Sequence, residues 1–208
     1  MHKRKFLLSD PAKPETPDNP HTRTKIGDAL VGLLADDERV NHDAVAARSG
    51  LSRRTVYRYY PDQESLLRAL RERVTNLAGP NVHYPQSEAE LLSTLPAIYE
   101  GFDRIAPVAT VIRTTPQGRA ARLADREARV AAYTAATADA VKDLPETDRR
   151  LATAMLQFLH TSAWLEMRDQ WGLDGSQIAR ACGWAMRTLL SDLRARGGRP
   201  LEQDEATA

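Results

Sequence analysis

Apolar residues recur at helical intervals from Thr22 onward. Ile26, Ala29, Leu30, Leu33 and Leu34 fall at i, i+3, i+4, i+7 and i+8, the spacing of a helix with one buried face. "DDER" ends that run. Asn41 is placed to cap a second helix carrying Ala44, Val45 and Ala47, and Gly50 stands where glycine commonly follows a helix end. Ser52 opens a third helix. Pro61 and Asp62 interrupt it, and Asp62 caps a fourth with Leu66, Leu67, Leu70 and Val74 inward, stopped by Gly79-Pro80. Residues 22–78 are therefore expected to form four helices, three of them short.

The pattern continues after a linker at 79–86, "GPNVHYPQ". "SEAE", from Ser87 to Glu90, has the form of a capping box, and Leu91, Leu95, Ile98, Tyr99 and Phe102 make the next stripe, with Pro96 marking a kink. A short helix is expected in "PVATVIRTT", a long one over 116–142, another over about 146–170, and a last one over about 175–196 capped by Asp174 and Gln177. No stretch alternates with a period of two. The fold class expected is all-α: a smaller N-terminal unit at 22–78 and a larger helical unit at 87–197. Residues 1–21, with four prolines, read as a disordered arm, and 198–208 as a disordered tail.

The last two helices differ from ordinary surface helices. The 146–170 segment has Leu151, Met155, Phe158, Ser162 and Leu165 on one face and Ala152, Leu156, Leu159 and Ala163 on another. A helix apolar on two sides is buried on two sides. A homodimer pairing 146–170 and 175–196 across a two-fold axis would use both.

Composition narrows the chemistry. The formal charge is only +1 over 208 residues, so no overall field marks a nucleic-acid binder. The distribution is uneven: basic residues outnumber acidic ones ten to eight over 21–75 and fall short, 15 to 17, over 76–208. One cysteine, Cys182, excludes an internal disulfide, and a lone thiol with five scattered histidines builds no metal cluster. No cofactor is expected. Neither a signal peptide nor a membrane span is apparent, which makes a cytoplasmic protein the expectation. The spacings of a serine hydrolase elbow, a zinc protease or a phosphate-binding loop are absent, so an enzyme is not expected.

The positive charge concentrates in "GLSRRTVYRYYPDQESLL", Gly50 to Leu67, with no acid between Asp43 and Asp62. With Ser52 as N-cap, Val56 and Tyr60 face inward with Leu51. Arg53, Arg54, Tyr57 and Arg58 are left on the outer side. Arginine reads guanine edges or grips phosphate, and tyrosine hydroxyls and helix N-terminal amides bind phosphate oxygens. The preceding helix and the turn "RSGLS" complete a helix-turn-helix, whose second helix enters the major groove by its N-terminal end, here "SRRT".

The run "VNHDAVAARSGLSRRTVYRYYPDQESLLRAL" resembles the DNA-binding segment of the TetR family of bacterial transcriptional regulators, over residues 22–75. The resemblance implies base or phosphate contacts from Arg53, Arg54, Thr55 and Tyr57, and phosphate contacts from Ser52, Arg58, Tyr59 and the helix start at Asn41. Two positions depart from the family's pattern: Asn41 replaces a usual threonine, and Gln63 a usual phosphate-binding lysine. The resemblance further implies a dimer that binds a palindromic double-stranded operator as a repressor and is released by a small molecule. The alternative is a regulator controlled by a protein partner or by abundance. Among the aromatic, thioether and polar residues of 80–172, Phe102, Phe158 and Trp164 are the candidate ligand contacts. Arg113 suits either an anionic ligand or a salt bridge. His160 and Cys182 read as buried structural groups.

Overall fold

The computed structural model describes residues 19–79 and 83–202. Most of the expected arm and tail, and part of the 79–86 linker, lie outside these residues. All regular structure among the described residues is helical, in chain order α1 (Pro20–Ala35), α2 (His42–Ser49), α3 (Arg53–Tyr59), α4 (Gln63–Ala78), α5 (Glu88–Ser93), α6 (Leu95–Arg104), α7 (Ala106–Thr114), α8 (Pro116–Leu123), α9 (Arg126–Val141), α10 (Glu146–Thr161), α11 (Trp164–Trp171) and α12 (Gly175–Arg196).

Local chemistry explains most of the helix starts. Asn19 caps α1 by accepting from the His21 N–H at 3.0 Å, with Pro20 in the first turn, so the helix begins two residues before its apolar stripe suggests. Asn41 caps α2 through the Ala44 N–H and Ser52 caps α3 through the Thr55 N–H. Asp62 and Ser65 exchange reciprocal bonds at the head of α4, and the donated Ser65 N–H holds the Asp62 carboxyl below its ordinary value. Gly50, at φ 68°, turns the chain between α2 and α3 in the left-handed region that disfavours a side chain.

Three helices expected to run whole are divided. The stripe from Leu91 to Phe102 breaks at Thr94, whose hydroxyl donates back to the Glu90 carbonyl at 2.6 Å, and Pro96 then sits in the first turn of α6. The 116–142 segment breaks between Leu123 and Arg126, which turns Asp125 toward α4, where it pairs with Arg71. The 146–170 segment breaks after Thr161, whose carbonyl accepts from Arg113 Nη2 at 3.2 Å. None of these breaks has a glycine in the sequence to announce it. Each coincides with a contact to another part of the chain.

The apolar interior falls into two clusters. One surrounds Ile26, Leu30, Leu33, Leu34, Val45, Val56, Leu66 and Leu70 of α1–α4, and takes in Ile112 of α7 and Ala121 of α8. The N-terminal helices thus complete their core with residues from beyond the linker. The other lies among α5, α6 and α9–α12, around Tyr99, Tyr133, Leu156, Trp164, Ile178 and Met186. Close approaches set the spacing between elements. A Cβ on Gly118 would lie 2.3 Å from the Ile112 Cα, and one on Gly175 would lie 2.5 Å from the Tyr99 carbonyl. Asp103 joins α6 to both later helices, accepting from the Trp164 indole N–H at 2.7 Å and the Gly175 N–H at 2.5 Å.

Candidate nucleic-acid interface

The candidate recognition surface is built on α3. Val56 is fully buried and anchors the helix, while Ser52, Arg53, Arg54, Tyr57 and Arg58 are exposed. Thr55 is half-buried, with its hydroxyl 2.8 Å from that of the capping Ser52. The exposed side therefore brings together three guanidinium groups, a phenol and the open N-terminal end of the helix. Arg53 is engaged with Asp43 of α2 at 2.9 Å, and its pKa is held above the ordinary value by Tyr57 beside it and by Asp43. Arg58 lies over the Tyr59 ring at 5.3 Å.

His42 supplies a contact that sequence inspection missed. Its ring stacks on Tyr57 at 3.8 Å with planes 4° apart, and its Nε2 lies 2.8 Å from the Tyr60 carbonyl. One imidazole at the start of α2 thus fixes both the outward tyrosine and the end of α3. A single histidine in "VNHDAV" carries no signal of this, because the stack exists only once α2 and α3 cross.

Two candidate contact residues have their side chains committed within the protein. The Tyr59 hydroxyl accepts from the Asn19 N–H at 3.1 Å, the main cause of its lowered pKa, and ties α3 to the start of α1. Gln63 donates from its amide to the Val40 carbonyl at 2.9 Å. The charge missing at that position is replaced by a tether on the loop ahead of α2. Gln117 of α8 grips the same loop from the other side, accepting from the Val40 N–H at 2.6 Å and donating to the Glu38 carbonyl at 3.0 Å. Arg48 closes it with ion pairs to Asp36 and Glu38.

The candidate ligand residues separate. Phe102 lines a cavity of about 120 Å³ between α4 and the later helices. Trp164 is fully buried behind that cavity, with its indole 5.4 Å from the Arg113 guanidinium. Phe158 does not line it. It is 47% exposed, on the face of α10 that also carries the exposed Leu151 and Met155. His160 is fully buried, between the Tyr133 hydroxyl at 2.6 Å and the Thr94 hydroxyl at 3.0 Å. Burial pushes its pKa down to about 4, so the imidazole is neutral. Cys182 is buried, its thiol raised by burial.

Comparison with known proteins bears on this geometry. No protein-family model matches the chain. The chain is 43% identical over 58 residues, 28% of its length, to the HTH-type transcriptional repressor LfrR of Mycolicibacterium smegmatis, and spans 31% of that relative. Among solved structures it is similar to the TetR-like transcriptional regulator LfrR from Mycobacterium smegmatis in complex with proflavine. That match has 26% identity and a TM-score of 0.40, and covers 80% of this chain and 95% of the other. In this chain the candidate reading helix is α3, packed with α1, α2 and α4, and Gln117 of α8 clamps the loop before α2. No helix among the described residues is long and apolar enough to cross a membrane.

Proposed function

We propose that the chain is a transcriptional regulator, a repressor, that binds a palindromic double-stranded operator as a homodimer and releases it on binding a small molecule. The observation that carries the reading is the outer face of α3, where Arg53, Arg54, Tyr57 and Arg58 stand exposed around an open helix N-terminus. Arg53 and Arg54 are assigned to base edges or phosphate, with Asp43 giving up Arg53 to the DNA. Thr55 and Tyr57 are assigned to base or phosphate. Ser52, Arg58 and the α2 start at Asn41 are assigned to phosphate. Tyr59 and Gln63 position the elements on either side. The similarity to a protein named as a transcriptional repressor supports the same reading.

Dimerisation is supported by apolar side chains with no cover in the single chain. Leu151, Met155 and Phe158 are 56%, 51% and 47% exposed along one face of α10, and Trp184 of α12 is 69% exposed. Contiguous exposed apolar surface of this kind marks an interface. A second copy related by a two-fold axis would bury α10 and α12 against their equivalents and hold two α3 helices for successive major grooves, roughly 34–36 Å apart.

Selection of bound sequences from a random duplex pool with purified protein tests the reading. Enrichment of an inverted repeat is the expected result. A pool that enriches nothing, or only an asymmetric sequence, overturns it.

A further inference from the structure

The cavity lined by Phe102 is cationic. Arg71 and Thr75 of α4, Arg113 of α7, Arg122 of α8 and Arg129 of α9 reach its wall, together with Tyr84. Asp125 is the one carboxylate that pairs with any of these arginines among the described residues, and it is taken by Arg71. Arg113 donates to the Ala109 and Thr161 carbonyls at 3.1 and 3.2 Å, yet its Nε is sealed from water with no partner. Instead of an acid, its guanidinium has aromatic faces, Phe102 at 4.2 Å and Trp164 at 5.4 Å. Arg122 has neither an ion pair nor a side-chain hydrogen bond among the described residues. Arg129 donates to the Arg122 carbonyl and lies 3.5 Å from the Tyr84 hydroxyl.

Three guanidinium groups therefore face one small space without a counter-charge. Burial is the main cause that lowers the pKa of Arg113, to about 10, and that of Arg122; the Arg122 charge adds to the shift at Arg113, and Arg129 and Arg119 add to that at Arg122. The protein carries the cost of holding three guanidinium groups together. A bound anion would remove it. The remaining wall is apolar and aromatic, from Val74, Phe102, Ile112 and Tyr133. Its size, about 120 Å³, is well below the roughly 300 Å³ at which ordinary ligand pockets begin, so the occupant is compact.

We propose that the effector of this protein is a compact organic anion, with a carboxylate head held by Arg113 and Arg122 and a planar apolar body against Phe102. This rests on the reading above that the helical unit answers to a small molecule. The route to the DNA-reading helices is short. Arg113 faces the cavity while its neighbour Ile112 packs in the core of α1–α4, and Arg71 on α4 lines the cavity next in sequence to Leu70 of that core. An anion that draws Arg113 and Arg122 together acts directly on α7 and α8, and α8 carries the Gln117 clamp.

Calorimetry and thermal shift on the full chain without DNA test the proposal. The probes are benzoate, phenylacetate and 1-naphthoate, set against benzamide as a neutral counterpart, proflavine as a cation, and inorganic phosphate as an oxyanion without a body. At least one carboxylate is expected to bind saturably at low-millimolar concentration or tighter, with benzamide, proflavine and phosphate each about tenfold weaker or more. Arg113→Gln and Arg122→Gln are each expected to weaken that carboxylate about tenfold or more, and Arg122→Gln serves if Arg113→Gln does not fold. The proposal is overturned if no carboxylate binds, if benzamide, proflavine or phosphate binds as tightly, or if Arg122→Gln binds the carboxylate like the parent. Because DNA is absent, these outcomes leave the operator selection untouched. Loss of DNA binding in that selection would likewise say nothing about the cavity.

Discussion

Gln117 and Val40 are joined across 77 positions of sequence: the Gln117 side-chain oxygen accepts from the Val40 N–H at 2.6 Å, while the same amide donates to the Glu38 carbonyl. Val40 is buried and its carbonyl is held by Gln63. The loop that ends at the Asn41 cap of α2 is thus clasped between α4 and α8. Gln117→Ala removes two hydrogen bonds and strands a buried N–H, so it should cost about 1–3 kcal/mol of stability, read by urea denaturation. It should also reduce the effect of an effector on DNA affinity, because α8 would no longer hold the loop. Equal effector response in the variant and the parent would exclude that coupling.

Arg54 and Tyr57 provide the direct test of α3. Arg54→Ala should weaken operator binding by about 1–3 kcal/mol if it contacts a base, and relax the preference at one position of the half-site. Tyr57→Phe keeps the stack on His42 and removes only the hydroxyl. It should weaken binding by less, about 1 kcal/mol. Both residues are exposed, so thermal stability should stay near that of the parent. Fluorescence anisotropy with a selected operator reads the affinities, and undiminished binding by both variants would remove α3 from the interface.

Phe158 and Trp184 test the dimer. Phe158→Glu and Trp184→Glu place a charge on surface that is already open in the single chain, so neither should unfold it. In a symmetric interface each charge would occur twice and be desolvated. Light scattering should then report a monomer where the parent is a dimer, and binding to an inverted repeat should fall to that of a half-site.

His160 sets a pH dependence. The Thr94 hydroxyl donates to the Glu90 carbonyl, so His160 Nε2–H must donate to Thr94 Oγ1 and Nδ1 must accept from the Tyr133 hydroxyl. Only the neutral imidazole fits this arrangement. Its folded pKa, about 4, lies below the ordinary 6.5. Between these values the unfolded chain binds the proton and the folded one does not. The stabilisation is therefore complete above pH 6.5 and is lost as pH falls from there through about 4, to a total of about 3 kcal/mol. Denaturation midpoints at pH 7.5, 5.5 and 4.5 should fall in that order, and His160→Gln should flatten the slope. An unchanged slope would place the proton elsewhere.

Much of the fold was legible in the sequence because its signals are local. Apolar spacing marked Ile26 to Leu34 as one buried face, and Asn41, Ser52, Asp62, Ser87 and Asp174 each cap the helix expected of them. The exposed face of α3 was legible for the same reason: a seven-residue helix with known ends has a known outer side. The commitments of Gln63 and Tyr59 were not legible, because the partners of those side chains, Val40 and Asn19, stand 23 and 40 positions away. The arginine-lined cavity was equally hidden. Arg71, Arg113, Arg122 and Arg129 come from four different helices, and of these the sequence singled out Arg113 alone, as suited to an anionic ligand or a salt bridge.

The sequence by itself determined the helices, most of their starts and the basic outer face of α3, since caps and the 3.6-residue period act within a few residues. Only the tertiary structure decided where the later helices break, which arginines lack an acid, and that α7 and α8 complete the core of the first four helices. These depend on contacts whose partners are dozens of residues apart, and the spacing of residues along a chain carries no record of which distant neighbour each will meet.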